Sequence, residues 1–428
     1  MEPLYVFARH WAIWPDMSFK ASWRQLLDPD VQAYIDEHSQ DDVRTLALKK
    51  SPNACWDLSL ILEQIKVRQK AMQKSPQWYE TKGIIFPSGN NYEQCSSEAC
   101  ARYKASLAAG KRFVDLTAGT GMDSFYFSQN FEEGLCVERD PVNAEILAHN
   151  FETLKEAGKA GGTLRVVCDT AEHVVKAMEK QSFVYIDPQR RDSKNSRFFR
   201  PLDCSPDIEG LIVSHGLNTQ KTMVKTSPLL DIRQTIETLR CVNAVHVVEW
   251  QGECKEVLYI LSSKKLGHRT QGQGEMMHDP CVTAVKIDGL GRVLKKLSFR
   301  YSEEQKVKNT YTMPQQYIYE PGAAFQKAGG YKIVAARYGV SKLHRHTHLY
   351  TSQNINESFP GKLFELVGVV PVHSKAVNLK KADMALRNFP GTVAALRKKL
   401  KLAEGGDHKI FACTLADNQK RLMICKKM

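Results

Sequence analysis

Apolar residues follow two different periods along the chain, and the first is that of a helix. It dominates residues 17–107, which we expect to form a helical N-terminal region. The clearest helical face in this region consists of Leu58, Ile61, Leu62 and Ile65. Ser97 stands before an Ala-rich stretch, where its hydroxyl predicts the N-cap of a further helix.

Short β-rich runs alternate with helical stretches in residues 108–265. The runs are RFVDLTA, GLCVERD, LRVVCDT, SFVYIDP, TMVKTSP, NAVHVVEW and EVLYILSS. Strands separated by helices predict a sheet that is largely parallel and covered on both faces. The last two runs are so close together that they predict an antiparallel hairpin. We therefore expect an α/β domain with a mostly parallel seven-stranded sheet.

The pattern changes again after a segment at 266–276 that has few apolar residues and indicates a linker. Two β-runs around Asp-Gly-Leu-Gly, a helix and another β-run predict a small α+β module at 277–356. A second α+β module is predicted at 359–428. It contains the basic segment Leu396–Leu402, where we expect a helix that packs Leu396, Leu400 and Leu402 and leaves Arg397, Lys398, Lys399 and Lys401 outward. Such a helix suits phosphate contacts and equally suits a soluble amphipathic surface. Residues 1–16 precede the helical region as a possible extension, and they do not resemble a signal peptide.

Composition and charge narrow the classes of function. The chain has 428 residues, of which 43% are hydrophobic, and no apolar run approaches the roughly 20 residues that span a bilayer, so we expect no membrane partner. Its net charge is +13, and the segment Gly361–Met428 carries fourteen Lys and Arg against five Asp and Glu. Such a basic module favours a polyanion such as nucleic acid as partner, although a solvated Lys-rich surface would have the same composition.

The number and spacing of the cysteines indicate the cellular compartment of the protein. The eleven cysteines include no Cys-x-x-Cys pair, and their spacing fits no common zinc site. We therefore expect reduced cysteines and a cytoplasmic protein.

The strongest local motif is VDLTAGTGMDSF, residues 114–125. A strand ends near Asp115, and the chain then turns through the segment 117–121 into a helix. Glycines at 119 and 121 let a bulky ligand approach the backbone at the carboxyl end of the strand. The motif lacks the third glycine of a dinucleotide-binding fingerprint, which weakens its interpretation as an NAD site. It also lacks the Lys-Ser/Thr pair of a phosphate-binding loop, which weakens its interpretation as an ATP site.

Acidic residues end the strands that follow. Glu138 can accept hydrogen bonds from both hydroxyls of a ribose, and Asp169 from an adenine amino group. Asp187 and Pro188 end the fourth strand. Because ligands bind at the carboxyl ends of parallel strands, these residues together predict one nucleoside-containing ligand.

This motif order resembles that of class I S-adenosylmethionine-dependent methyltransferases. The resemblance implies a Rossmann-like core, S-adenosyl-L-methionine as cofactor and no metal. Asp115 and the glycine turn would hold the methionine end. The cofactor-binding residues implied are Ser97, Asp115, Thr117, Ala118, Gly119, Thr120, Gly121, Asp123, Glu138, Arg139, Asp169 and Thr170.

A narrower resemblance covers nearly the whole chain after Met17. The segments VDLTAGTGMDSF, VERDP, YIDPQRRD and RNFPGTVAALRKKLKLAEGGDHKIFACTLAD are similar to those of bacterial methyltransferases with a THUMP-like C-terminal domain. That family has a helical N-terminal region, the methyltransferase core, a ferredoxin-like module and a THUMP-like module. The core motifs are also similar to those of a 16S ribosomal RNA guanine-N2 methyltransferase family. Both resemblances imply RNA as the partner.

The motif that ends the fourth strand, Asp187-Pro188, concerns the methyl acceptor. Asp187 could orient an amine or ring nitrogen in line with the methyl group, so Asp187, Pro188 and Arg190 are the predicted catalytic residues. Arg190 and Arg191 could instead bind a substrate phosphate, or simply be solvated. Cys204 is a weaker alternative, as the nucleophile that carbon-directed methylation would need.

A histidine-rich segment, His344-Arg345-His346-Thr347-His348, is a candidate metal site by its residue types. Alternate positions on a strand would place these imidazoles on one exposed face without an acidic ligand, so we expect a surface strand.

The sequence thus predicts a methyltransferase that modifies a base of structured RNA, either tRNA or rRNA. Two alternatives stay open. One is a methyltransferase for a protein or small molecule, and the other is a non-catalytic protein that binds S-adenosylmethionine or RNA.

Overall fold

The structure is a computed structural model that describes most of the chain. The described residues are 23–179, 181–190, 204–208, 210–211, 219–239, 241–262 and 279–428. The predicted extension at 1–16, the linker at 266–276 and Arg191 lie outside them. The chain divides into two compact units, the first ending at Asp187 and the second beginning at Pro188.

The first unit opens with helices, as predicted. They are α1 (Pro29–Glu37), α2 (Val43–Ala47), α3 (Leu58–Lys74), α4 (Pro76–Tyr79), α5 (Gly89–Gln94) and α6 (Glu98–Ser106). Short polar side chains begin several of them: Asp57 caps α3 by accepting the backbone N–H of Leu60, and Ser97 caps α6 by accepting that of Cys100. The Ser97 cap confirms the prediction from the sequence.

The apolar face of α3 is confirmed. Ile61, Leu62 and Ile65 are buried in a cluster with Val31 and Ile35 of α1, and Leu58 packs against the same cluster. Helix propensity alone would stabilise this region only weakly. Burial of one apolar face therefore supplies most of the stability of the helices.

Parallel strands form the sheet of the first unit. They are β1 (Gly110–Asp115), β2 (Phe131–Glu138), β3 (Thr163–Cys168) and β4 (Gln181–Ile186). The helices among them are α7 (Met122–Phe127), α8 (Pro141–Glu156) and α9 (Ala171–Lys176). The strand order is β4-β1-β2-β3, with β1 paired to β2 and β4. This order brings the carboxyl ends of all of them to one edge.

Two buried amide side chains fix an extended segment between α4 and α5. Asn150 of α8 accepts the backbone N–H of Ile85 at 2.9 Å and donates to its carbonyl oxygen at 2.7 Å. Gln64 of α3 makes the same pair of bonds to Phe86, at 3.0 and 2.6 Å. The amides replace the partners that a neighbouring strand would provide, so this segment can be buried without unsatisfied backbone groups.

The second unit contains a mixed sheet followed by a predominantly antiparallel one. Its elements up to residue 299 are β5 (Gln189–Arg190), β6 (Cys204–Ser205), β7 (Thr219–Thr226), α10 (Ile232–Leu239), β8 (Val242–Trp250), β9 (Glu253–Ser262), β10 (Cys281–Ile287) and β11 (Val293–Phe299). The expected hairpin of β8 and β9 is present and antiparallel. β7 pairs with β9, and β5 with β6.

The remaining elements form the C-terminal sheet. They are α11 (Tyr301–Lys306), β12 (Tyr317–Pro321), α12 (Ala323–Ala328), α13 (Tyr331–Tyr338), β13 (Ser341–Lys342), β14 (Tyr350–Ser352), β15 (Gly361–Val370), β16 (Asp383–Arg387), α14 (Val393–Leu400), β17 (His408–Thr414) and β18 (Lys420–Lys427). In the described part of this unit the strand order is β13-β14-β12-β15-β18-β17-β16.

Two features differ from the sequence-based expectation. The β10–β11 hairpin, grouped by its sequence pattern with the module at 277–356, pairs through β10 with β8. The histidine-rich segment is not a strand: β14 begins only at Tyr350, and His348 stacks on Tyr331 with the ring centroids 3.5 Å apart. The alternation of side chains along a strand therefore does not determine where these imidazoles lie. The domain boundaries themselves stay predictions.

Among the described residues, no helix combines the length and the apolar character that a membrane crossing requires.

Replacing Asn150 by Ala tests the amide contacts. The N–H and carbonyl groups of Ile85 would lose their buried partner, so we expect the free energy of unfolding of the first unit to fall by about 2 kcal/mol. Asn90→Ala, at an exposed position of α5, is the matched control and should change it by less than about 0.5 kcal/mol. Urea unfolding followed by circular dichroism measures both, and equal effects would contradict the role given to Asn150.

Candidate active site

Asp115 is the last residue of β1 and holds the start of the glycine turn. Its side chain is buried, with 1% of its surface exposed. One carboxylate oxygen accepts the backbone N–H of Thr117 at 2.9 Å, and the other accepts the hydroxyl of Ser124 at 2.5 Å. The carboxylate thus joins the beginning of the turn to α7.

The two glycines of the turn serve different purposes. Gly121 has φ +80°, and a Cβ there would lie 2.2 Å from Leu147 Cδ1 and 2.8 Å from Phe151 Cζ. It is therefore required for packing against α8. Gly119 has φ +53°, but a Cβ would meet no atom closer than the Thr117 carbonyl oxygen at 3.8 Å. The space beside Gly119 is open, as the approach of a ligand to the backbone requires.

Glu138 ends β2 and connects it to the same turn. Its carboxylate accepts the backbone N–H of Gly119 at 3.0 Å and that of Asp140 at 2.8 Å. Burial raises the pKa of this carboxyl, while the two backbone donors lower it. Each oxygen accepts one of these bonds and retains a second lone pair for a hydroxyl donor. Arg139, the next residue, is exposed.

Asp169 follows β3, and its backbone N–H donates to the Glu138 carbonyl oxygen at 3.1 Å. Its carboxylate accepts the N–H of Thr170 at 2.7 Å and contacts Nδ1 of His173 at 2.7 Å. Thr170 in turn caps α9. The imidazole of His173 is a partner that the sequence motifs do not indicate, because it lies one helical turn beyond the strand end.

Asp187 follows β4 and is half-buried. Its backbone N–H donates to the hydroxyl of Thr117 at 2.6 Å. The fourth strand end is thereby joined to the turn after the first. Burial, with smaller contributions from the neighbouring carboxylates of Asp123 and Asp187, raises the pKa of Asp115 from its ordinary value of 3.8 to about 7.

Asp123, in the first turn of α7, lies in a buried polar cluster. Its carboxylate accepts the hydroxyls of Ser96 at 2.8 Å and Tyr185 at 2.6 Å, and it pairs with the Lys104 ammonium at 3.2 Å. Sequence reasoning selected Asp123 but missed Lys104 and Tyr185. The only local signal was a lysine in the otherwise Ala-rich run of α6.

The structure therefore brings most of the predicted cofactor residues to one edge of the sheet, in the first unit. Ser97 is buried as the cap of α6. Of the predicted catalytic residues, Asp187 is at this edge, whereas Pro188 begins the second unit and Arg190 lies in β5, opposite Cys204 of β6. Within the described ranges, no cluster of His, Cys, Asp or Glu side chains could hold a metal ion.

The basic helix α14 differs in one respect from expectation. Leu396, Leu400 and Leu402 are buried as predicted, and Lys398, Lys399 and Lys401 are exposed. Arg397 does not point outward, because its guanidinium donates to the carbonyl oxygens of Ala382 at 2.9 Å and Ala403 at 2.8 Å. Arg397 thus stabilises the module.

Two family models match the C-terminal part of the chain. Residues 317–360 match the family model of a ferredoxin-like domain, and residues 361–427 match that of a THUMP domain-like family. A crystal structure described as a "putative methyltransferase from Porphyromonas gingivalis W83" is 27% identical, with a TM-score of 0.79, and the match covers 94% of this chain and 98% of that one.

The resemblance expected from the motifs is confirmed. This chain has the class I methyltransferase fold with a THUMP-like C-terminal module.

Weaker likenesses involve smaller parts of the chain. A "putative RNA methyltransferase" from Pyrococcus horikoshii is 15% identical, with a TM-score of 0.29, and the match covers 45% of this chain and 98% of that one. TrmK of M. capricolum, in complex with S-adenosyl-homocysteine, is 10% identical with a TM-score of 0.30, at 40% and 71% coverage. Such low scores carry no conclusion about substrate. No curated protein gives a significant match.

The raised pKa of Asp115 predicts a pH-dependent stability. The folded protein holds this proton more tightly than the unfolded chain, so the contribution to the free energy of unfolding is largest below about pH 4 and declines as the pH rises towards 7. Asp115→Asn removes this dependence. From pH 5 to pH 8, we expect the free energy of unfolding of the variant to rise by about 2 kcal/mol relative to that of the wild type.

Urea unfolding without cofactor at these two pH values measures the difference. Glu132→Gln, at an exposed position of β2, is the control and should parallel the wild type. Parallel behaviour of Asp115→Asn would show that this carboxyl has an ordinary pKa.

Proposed function

We propose that this protein is an S-adenosylmethionine-dependent methyltransferase that methylates a base of structured RNA, either a tRNA or an rRNA. The observation that carries the proposal is the convergence of Asp115, Glu138, Asp169 and Asp187 at one edge of a parallel sheet, around a glycine turn with an open side at Gly119. Ligands of such sheets bind at this edge.

The residues at this edge fit the parts of S-adenosylmethionine. The open backbone at Gly119 and the Asp115 carboxylate would hold the methionine end, and the free lone pairs of Glu138 would accept the ribose hydroxyls. Asp169, already ordered by Thr170 and His173, would accept the adenine amino group. When bound, the cofactor supplies a methyl group on a positively charged sulfur.

The charge of the site supports a cationic ligand. Asp123 and Asp187 lie near Asp115 in the first unit, and burial, with a smaller contribution from their repulsion, raises the pKa of Asp115. A sulfonium or ammonium group near these carboxylates would lower their electrostatic energy. Without a ligand, these carboxylates therefore lack a balancing positive charge that the cofactor would supply.

Asp187 is the residue we assign to the acceptor. Its carboxylate would accept a hydrogen bond from an exocyclic amine or ring N–H and direct the nitrogen lone pair in line with the methyl group. The N–C bond forms as the S–C bond breaks, and the nitrogen then loses its proton to Asp187 or to water. The bond from the Asp187 backbone to Thr117 orients this residue relative to the cofactor turn.

The RNA assignment rests on the C-terminal module. Residues 361–427 match a THUMP-like family, and this part of the chain has the largest basic excess. The exposed ammonium groups of Lys398, Lys399 and Lys401 are available to RNA phosphates. Contacts of this kind position the substrate without reading its sequence.

Transfer of labelled methyl groups tests the function. Total RNA from cells that lack the protein is incubated with tritiated S-adenosylmethionine and the full chain. We expect label in RNA, and we expect Asp187→Ala to lower the rate at least about 100-fold while the cofactor still binds. Gly119→Arg should abolish binding, because its side chain would enter the open space beside the turn.

Protein and small-molecule fractions are assayed in parallel, with assembling ribosomal particles as a further RNA substrate. Label only in protein or small molecules would refute the RNA assignment and retain the methyltransferase. Cofactor binding without label in any fraction would favour a non-catalytic binding protein.

Salt dependence tests the basic module separately. Replacing Lys398, Lys399 and Lys401 together by Ala should weaken RNA binding and reduce the slope of log affinity against log salt by about 2 to 3. The charge-matched control replaces Lys49, Lys50 and Lys82, which are exposed in the first unit. If both triple variants change the slope equally, net charge rather than this module governs binding.

A further inference from the structure

Lys104 is a fully buried cation that none of the sequence motifs explains. It lies in α6, and its side chain has no solvent exposure. Its ammonium lies 3.2 Å from Asp123 Oδ1 and donates to the Ser96 hydroxyl at 2.9 Å. Burying an ammonium group is strongly unfavourable unless its partners are well placed. The buried pair of Lys104 and Asp123 therefore depends on the well-placed partners around it.

The partner carboxylate joins several segments of the first unit. Asp123 belongs to α7, directly after the glycine turn, and its second oxygen accepts the hydroxyls of Ser96, before α6, and Tyr185, in β4. With Lys104, this single carboxylate is bonded to α6, to the segment before it and to β4.

One of these connections leads back to the site. Tyr185 lies two residues before Asp187, whose backbone N–H donates to the Thr117 hydroxyl. The glycine turn is thus fixed at its beginning by Asp115 and at its end by Asp123. Lys104 supplies an ammonium to the second of these carboxylates, that of Asp123.

We propose that Lys104 is a positioning residue for the cofactor: its ammonium fixes Asp123 and the start of α7, so that the turn at Gly119–Gly121 keeps the shape that receives S-adenosylmethionine. This inference rests on the proposed function. It differs from a role in folding alone, in which Lys104 would only compensate the buried charge of Asp123.

A double variant separates the two roles. Lys104→Met combined with Asp123→Asn leaves no lone buried charge, and the amide oxygen can still accept the bonds from Ser96 and Tyr185. Asn at position 123 removes a carboxylate that favours the sulfonium, so the deciding measurements are the exchange of the turn amides without ligand and the affinity for S-adenosylhomocysteine, which has no sulfonium. If Lys104 only compensates charge, the variant folds and both measurements match the wild type. If Lys104 positions the turn, the variant folds, its turn amides exchange faster and it binds S-adenosylhomocysteine weakly.

The measurements are dissociation constants of S-adenosylmethionine and S-adenosylhomocysteine by calorimetry at 20 °C, with melting temperatures for every variant. We expect the folded double variant to bind both ligands at least about tenfold more weakly than the wild type. Hydrogen exchange without ligand should show the Gly119 and Gly121 amides exchanging at least about tenfold faster.

Lys159→Met is the matched control. The Lys159 ammonium donates to Thr81 Oγ1 at 2.8 Å and to the Gln77 carbonyl oxygen at 3.3 Å, and neither residue belongs to the turn or contacts Asp123 in these bonds. We expect a lower melting temperature and unchanged dissociation constants for it. A double variant with wild-type exchange of the turn amides and wild-type affinity for S-adenosylhomocysteine overturns the role of Lys104, even if it binds S-adenosylmethionine more weakly. A wild-type chain that binds neither ligand would instead refute the proposed function.

Discussion

The buried carboxylates of Asp115 and Asp123 and the half-buried carboxylate of Asp187 repel one another, and the candidate site depends on the groups that compensate this repulsion. Asp115 is held by backbone and hydroxyl donors, Asp123 by an ammonium and two hydroxyls. Such donors favour the charged forms, but burial still raises the pKa of Asp115 to about 7. The ligand-free site therefore retains an electrostatic cost that a cationic ligand would relieve.

The helical region before β1 takes part in this arrangement. It supplies Lys104 and Ser96 to the cluster around Asp123, and the amides of Gln64 and Asn150 order the segment that precedes α5. These contacts are made inside the first unit. The region thus contributes polar groups to the interior next to the cofactor turn, in addition to its own apolar cluster.

The functional residues at the strand ends could be predicted from the sequence, because each of them is adjacent in the chain to a strand or turn that the sequence pattern reveals. Lys104, Tyr185 and His173 could not, because their roles depend on distances between elements that periodicity does not encode. The prediction for Arg397 was wrong for a related reason. Helical periodicity gives the direction of its Cβ, whereas its long side chain curls back to two backbone carbonyl groups.

The charges at the site also restrict how RNA could be held. Carboxylates that favour a sulfonium repel the phosphates of a substrate, so an RNA methyltransferase with this site needs its phosphate contacts elsewhere. The C-terminal module has fourteen of the sixty basic residues and exposes Lys398, Lys399 and Lys401. Opposite charges in separate modules thus suit a reaction between a cationic donor and a polyanionic acceptor.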